Sequence, residues 1–159
     1  MSLLEILEEK SIIVGLKANE KTEIIEELVD ALEVGKDICD RSKVLNAVIE
    51  REKIMSTGIG DGIAIPHGKS DAVNRLVAAL GTKKEGVDFE TLDGEPAHVF
   101  FLLVSPPDIS GPHIKALARI SRLLKNDSFK KALLSAKTPK DAMDMIADEE
   151  KRHPEPGLG

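Results

Sequence analysis

Tryptophan and tyrosine are absent and phenylalanine occurs four times in 159 residues, so the chain offers few aromatic faces on which nucleic-acid bases could stack. Positive charge is also in deficit. Lysine and arginine total 22 against 28 acidic residues, a net charge of −6, where a nucleic-acid backbone would require a basic stripe. A single cysteine, Cys39, excludes a disulfide framework within the chain and any thiolate-rich metal site. The densest apolar run, Val99 to Val104, falls far short of the ~20 residues that cross a bilayer. Met1 to Glu5 carries no basic region and turns acidic at once, which predicts no secretory leader. Apolar residues nevertheless make up 42% and charged residues 31%, the balance of a globular chain with material for a core. These features predict one acidic domain over residues 1–150 in a reducing compartment, with a frayed Pro- and Gly-rich tail over 151–159.

The apolar pattern alternates between two periods. Leu3, Leu4, Ile6 and Leu7 suggest a short opening helix, and Ser11-Ile12-Ile13-Val14 a strand. Ile24, Ile25, Leu28, Val29 and Leu32 recur at helical spacing, with Asn19 as N-cap and Gly35 as a left-handed C-cap. Asp40 caps a second helix whose face is Val44, Leu45, Val48 and Ile49 and which ends near Glu52. Ile63-Ala64-Ile65 reads as a short strand stopped by Pro66, and Leu76 to Leu80 as a buried one. Lys83 to Gly86 and Thr91 to Pro96 read as turns. His98 to Val104 is the expected central strand, broken by Ser105-Pro106-Pro107. A helix then opens at Ser110-Gly111-Pro112 with the face Ile114, Leu117, Ala118, Ser121 and Leu124. Asp127 caps a shorter helix, and Thr138-Pro139 starts the last, with Met143 and Ile146 inward. The class is α/β: a mixed parallel and antiparallel sheet flanked by helices on both faces.

The most unusual stretch is Gly58-Ile59-Gly60-Asp61-Gly62, followed by Ile63-Ala64-Ile65-Pro66-His67-Gly68. It is not a dinucleotide fingerprint, because the third glycine is misplaced and the glycines precede the strand. No Gly-Lys-Ser/Thr follows to make a phosphate loop. What remains is His67 at the end of a stiff strand, approached through Pro66, with Gly68 leaving one side uncrowded. Imidazole is largely neutral at pH 7, and is both a good nucleophile and a good leaving group, as phosphoryl transfer demands. Arg51 and Lys69 are candidate cations that could stabilise the transferring group. Against this stands an ordinary loop histidine. His113, at a helix start, is either a second imidazole of the same site or a surface residue of the first turn. His98 reads as structural and His153 as solvated. The four histidines are 31, 15 and 40 residues apart, without an i,i+4 pair, and nothing supports zinc or another metal. The acidic runs Glu8-Glu9 and Asp148-Glu149-Glu150 read as solvated helix faces or ends.

Glu52, six residues, Ile59-Gly60, two residues, then Ile63 to Gly68 resembles the active-site signature of enzyme IIA domains of the bacterial phosphotransferase system, fructose/mannitol class. Arg51 and Ser56 to Gly60 match around it. Gly94 to Ser105 is similar to the family's central strand, and His113 to Leu124 to its following helix, so the likeness covers roughly residues 3–150. The resemblance implies a cytoplasmic phosphoryl carrier with no cofactor and no metal. Such a carrier takes phosphoryl from the histidine phosphocarrier HPr onto His67, on Nε2, and passes it to a cysteine of an enzyme IIB, and so to sugar entering through a membrane IIC. It further implies Arg51 as the cation neutralising phosphate and His113 as the second histidine, hydrogen-bonded to the phosphoryl group. Accessible glycines and an apolar patch including Ile59 and Ile63 would admit two successive protein partners. Two rivals follow from the same residues. One is a regulator of the nitrogen-related type, acting through phosphorylation-dependent binding. The other is a metal-dependent or hydrolytic enzyme using His67 and His113, which predicts bound metal.

Overall fold

Alternation along two long strands sorts the apolar residues of the sheet into two sets. In the computed structural model, which describes residues 2–35 and 37–154, these strands are β5 (Val77–Val87) and β6 (Ala97–Ser105), paired antiparallel. Val77, Ala79, Phe100, Leu102 and Val104 face α1 (Lys21–Val34) and α2 (Arg41–Ile54), packing on Ile24, Leu28, Leu32, Val44 and Val48. Ala78, Leu80, Val99, Phe101 and Leu103 face α3 (Ser110–Leu124), α4 (Asp127–Ser135) and α5 (Pro139–Arg152), packing on Ile120, Leu123, Leu133 and Ile146. A strand covered on both sides reads as a continuous apolar run, which is why β6 stands out in the sequence. Each large side chain so buried contributes about 1.5–3 kcal/mol.

The sheet order is β1-β5-β6-β3-β2, with β4 also pairing β6. β1 (Leu7–Val14) runs parallel to β5; β3 (Ile63–Ala64) and β4 (His67–Lys69) run parallel to β6; β2 (Gly58–Gly60) is antiparallel to β3. The sheet is therefore mixed and clad on both faces, as the sequence predicts. The β2–β3 reversal needs three successive positive φ angles, at Gly60 (97°), Asp61 (56°) and Gly62 (78°), which explains the glycine density before the histidine. Asp93 secures that reversal by accepting a hydrogen bond from the Asp61 N–H at 2.9 Å.

Several local expectations are corrected. The opening segment is a 3₁₀ turn (Leu3–Glu5) and then β1, not a helix: Leu7 pairs with Ala78, and the charged Glu8-Glu9-Lys10 belong to this edge strand. Charge on an edge strand blocks further pairing, and here it also masks the β pattern. Lys83 to Gly86 is not a turn but part of β5, whose ladder with β6 is irregular there. The α1 N-cap is Glu20 rather than Asn19, and Gly35 is right-handed (φ −72°). Asn126, not Asp127, caps α4 by accepting from the Phe129 N–H, whereas Asp40 and Thr138 cap α2 and α5 as expected.

The inward face of α3 is His113, Ala116, Arg119, Ile120, Leu123 and Leu124; Ile114 and Ala118 are exposed. Arg119 can lie inside because Glu150 accepts from its Nε at 3.3 Å. Glu149 and Glu150 are accordingly buried, not solvated; Glu150 also accepts from Ser2 Oγ (2.7 Å) and the Leu3 N–H (3.0 Å). α5 continues through Arg152. His153 is half-exposed, with its ring 3.3 Å from Glu149 and its carbonyl accepting from Arg119 at 2.6 Å. The rest of the expected tail, 155–159, lies outside the described residues.

Gly68 serves close approach rather than openness. A Cβ there would sit 3.1–3.3 Å from the Val48 nitrogen and the Ala47 carbonyl group, all backbone of α2. Gly68→Ala must push that helix outward. Overpacking of this kind costs typically 1–3 kcal/mol, so the urea midpoint should fall while the m-value is unchanged. An unaltered midpoint would show that α2 yields freely.

Candidate functional site

The site forms where β6 ends. Register pairs His67 with Leu103 and Lys69 with Ser105, and the Ser105 carbonyl accepts from the Ser70 N–H at 2.9 Å. His67 thus opens β4; it does not close β3 as the sequence suggests. Pro66 separates the two short strands, and its carbonyl accepts from the Leu103 N–H at 3.0 Å, so the break leaves this β6 donor satisfied.

His67 is half-buried, with Nδ1 2.9 Å from the Ile65 carbonyl oxygen. That carbonyl is placed by a second chain of bonds. The Ile65 N–H donates to the Thr57 carbonyl (3.0 Å), and Glu52 accepts from both the Thr57 N–H (2.8 Å) and the Thr57 hydroxyl. Glu52 is 7% exposed and pairs with Lys21 at 2.8 Å. A buried carboxylate so bonded holds the approach to His67 rigidly.

His113 is buried at 4% exposure in the first turn of α3, so the surface reading of this residue is corrected. Its ring meets His67 edge-to-face, centroids 5.5 Å apart and planes at 66°. Nδ1 lies 2.6 Å from Ser105 Oγ. Arg51, in the last turn of α2, donates from a guanidinium nitrogen to the Met55 carbonyl at 2.9 Å. Its charge reaches His67. Burial lowers the pKa of His67; the Ile65 bond opposes this, Arg51 lowers it further, and Glu52 opposes. Lys69 is exposed and donates to Ser110 Oγ at 2.7 Å. The structure therefore brings His67 and His113 into contact, with Arg51 and Lys69 as the cations around them. His98 is structural, its Nδ1 lying 3.1 Å from the Lys83 and Lys84 carbonyls. Of the expected apolar patch, Ile59 is exposed, whereas Ile63 is in the core. Among the described residues no group of three His, Cys, Asp or Glu is placed to hold a metal ion.

Glu52 appears in the sequence only as the head of a motif, and Ser105 only as a strand breaker; neither role is visible there. The one usable signal is Glu52 at a helix end, followed five residues later by Thr57 with its two donors.

Burial, then the charges of His67 and Lys69, bring His113 from 6.5 down to about 4. The unfolded chain therefore binds this proton first as pH falls. The stability due to a neutral His113 is complete above about pH 6.5 and is lost as pH drops toward 4, on the order of 3 kcal/mol in all. Urea unfolding at pH 7 and pH 4.5 should show a steeper loss in wild type than in His113→Gln. Equal losses would remove His113 from the acid response.

The fold is that of the α/β EIIA domains. Residues 5–149 match the family described as "Phosphoenolpyruvate-dependent sugar phosphotransferase system, EIIA 2", and the chain belongs to it. It is 37% identical over 151 residues to the fructose-specific EIIABC component of Bacillus subtilis, covering 95% of this chain and 24% of that protein, about a quarter of its length. A nitrogen regulatory protein of Bradyrhizobium diazoefficiens is 31% identical over 148 residues, covering 92% of this chain and 95% of that one. Among solved structures, the nitrogen regulatory protein IIA-Ntr of Neisseria meningitidis superposes with a TM-score of 0.83 at 27% identity, over 89% of this chain and 97% of that one. The mannitol enzyme IIA of Escherichia coli, in complex with phosphorylated enzyme IIB, shares the fold with a TM-score of 0.77 at 22% identity, over 90% and 99%. No helix among the described residues is long and apolar enough to cross a membrane.

Proposed function

We propose that this chain is a cytoplasmic phosphoryl carrier, with residues 1–150 as the working domain and His67 as the residue phosphorylated. The observation that carries this reading is the bond between His67 Nδ1 and the Ile65 carbonyl. A carbonyl can only accept, so Nδ1 holds the proton of the neutral ring and the lone pair is left on Nε2. With its pKa lowered, the ring is in that neutral form at pH 7.

Nε2 attacks the phosphorus of phospho-HPr in line. The new N–P bond forms as the bond to the donor's nitrogen breaks, and the donor leaves with that electron pair. Arg51 balances charge on the equatorial oxygens, and His113 offers a ring N–H to one of them. In the second half-reaction a cysteine thiolate of an enzyme IIB attacks the same phosphorus and His67 leaves as neutral imidazole. The phosphoryl group then continues to sugar entering through a membrane IIC. Positioning and charge carry both steps, and the chain needs no cofactor for either. The fructose-specific relative supports the uptake role, and the mannitol complex supports an enzyme IIB as acceptor. A regulatory role of the nitrogen type is the second reading; the Bradyrhizobium and Neisseria proteins, nearly coextensive with this chain, favour it.

The test is the intact mass of the full chain after incubation with phosphoenolpyruvate, enzyme I and HPr. One acid-labile phosphoryl group is expected, discharged by a cognate enzyme IIB. No uptake from competent phospho-HPr would refute the carrier reading. Uptake without discharge to any enzyme IIB of the same genome would favour the regulatory one.

A further inference from the structure

Ser105 ends β6, and its side chain is fully buried. Among the described residues its hydroxyl has one hydrogen-bond partner, His113 Nδ1 at 2.6 Å. Pro106 and Pro107 turn the chain back immediately afterwards, so that α3, starting at Ser110, carries His113 onto the end of the strand it has just left. Serine oxygen both donates and accepts, so the short contact allows two proton arrangements. If Nδ1–H donated to Oγ, the serine proton would be buried with no acceptor, which costs about 1–3 kcal/mol. If the hydroxyl donates to the Nδ1 lone pair, that proton is used and the ring nitrogen is satisfied. In a neutral ring the remaining proton then sits on Nε2.

We propose that Ser105 is a positioning residue that fixes His113 as its Nε2–H tautomer, so that the ring presents a donor to the phosphoryl group on His67. The inference rests on the carrier reading for its functional half. The two touching imidazoles are thereby set in opposite tautomers by different acceptors and donors. The Ile65 carbonyl accepts a hydrogen bond from Nδ1–H of His67 and so leaves the lone pair on Nε2. The Ser105 hydroxyl occupies the Nδ1 lone pair of His113 and leaves its Nε2 proton. With the serine removed, His113 can also adopt the Nδ1–H form, which turns a lone pair toward anionic oxygens, and a donor becomes a repulsive contact.

Ring ¹⁵N NMR at pH 7 on the unphosphorylated wild-type chain tests the tautomer without any variant. His113 should show an unprotonated Nδ1 and a protonated Nε2. Ser105→Ala should shift both nitrogens toward averaged values and slow phosphoryl uptake from phospho-HPr by roughly tenfold. Ser105→Thr, which keeps the hydroxyl, should restore both the spectrum and the rate. A purely structural serine would leave the ring shifts of a folded Ser105→Ala unmoved. Protonated Nδ1 in wild type, or a wild-type rate in Ser105→Ala, overturns the proposal. Should the wild type take no phosphoryl group, the carrier reading fails and with it the functional half, while the wild-type spectrum still decides the Ser105 assignment.

Discussion

The His67→Ala variant is expected to acquire no phosphoryl group under conditions that charge the wild type completely. In the proposed mechanism the transfer depends on one atom, Nε2, whose lone pair is left free by the Ile65 hydrogen bond. His113 cannot replace it. That ring is almost wholly buried, and its Nδ1 is engaged by Ser105. Truncation should cost the fold little. The ring is half-buried and loses a single hydrogen bond, worth about 1 kcal/mol net. Mass spectrometry reads the first effect and a urea melt the second. Acid-labile phosphate on a folded His67→Ala chain would reassign the nucleophile, and peptide mapping would show where.

The second large effect is expected at Arg51. Arg51→Ala should slow phosphoryl uptake by about a hundredfold or more, the usual consequence of losing a donor aimed at developing negative charge. Arg51→Lys should recover only part of this, because an ammonium cannot supply two parallel N–H donors to two oxygens. A separate readout accompanies the rate. Arg51 lowers the proton affinity of His67, so Arg51→Ala should raise the pKa of that ring, measured by NMR titration. The variant also loses the bond to the Met55 carbonyl at the end of α2, so a melt must accompany the kinetics. Wild-type uptake together with an unshifted His67 would exclude Arg51 from the site.

Legibility in the sequence followed burial and locality. β6 was readable because both of its faces are covered, and the caps Asp40 and Thr138 because a cap is a local bond. The first half of β1 was not, since edge residues Glu8 to Lys10 carry charge where a buried strand would carry valine. The face of α3 is misread from sequence because Arg119 counts as polar until Glu150, 31 residues away, accepts its hydrogen bond. The same distance effect hid the site's supports. His67 could be singled out from its glycines and proline, and Arg51 and His113 from family likeness. Nothing near Ser105 announces that it meets His113, and only Thr57, five residues on, hints that Glu52 holds the loop that aims Ile65.

The two-sided sheet has a mechanical consequence. Arg51 rides on α2, in one layer, and His113 on α3, in the other, while His67 belongs to the sheet between them. A phosphoryl group on His67 that engages both side chains acts as a clamp across the whole thickness of the molecule. Charging should then slow amide exchange in the C-terminal turn of α2 and the N-terminal turn of α3 together, and discharge should release both. A partner protein reading the charged form could sense that stiffness at either layer, without touching the phosphate.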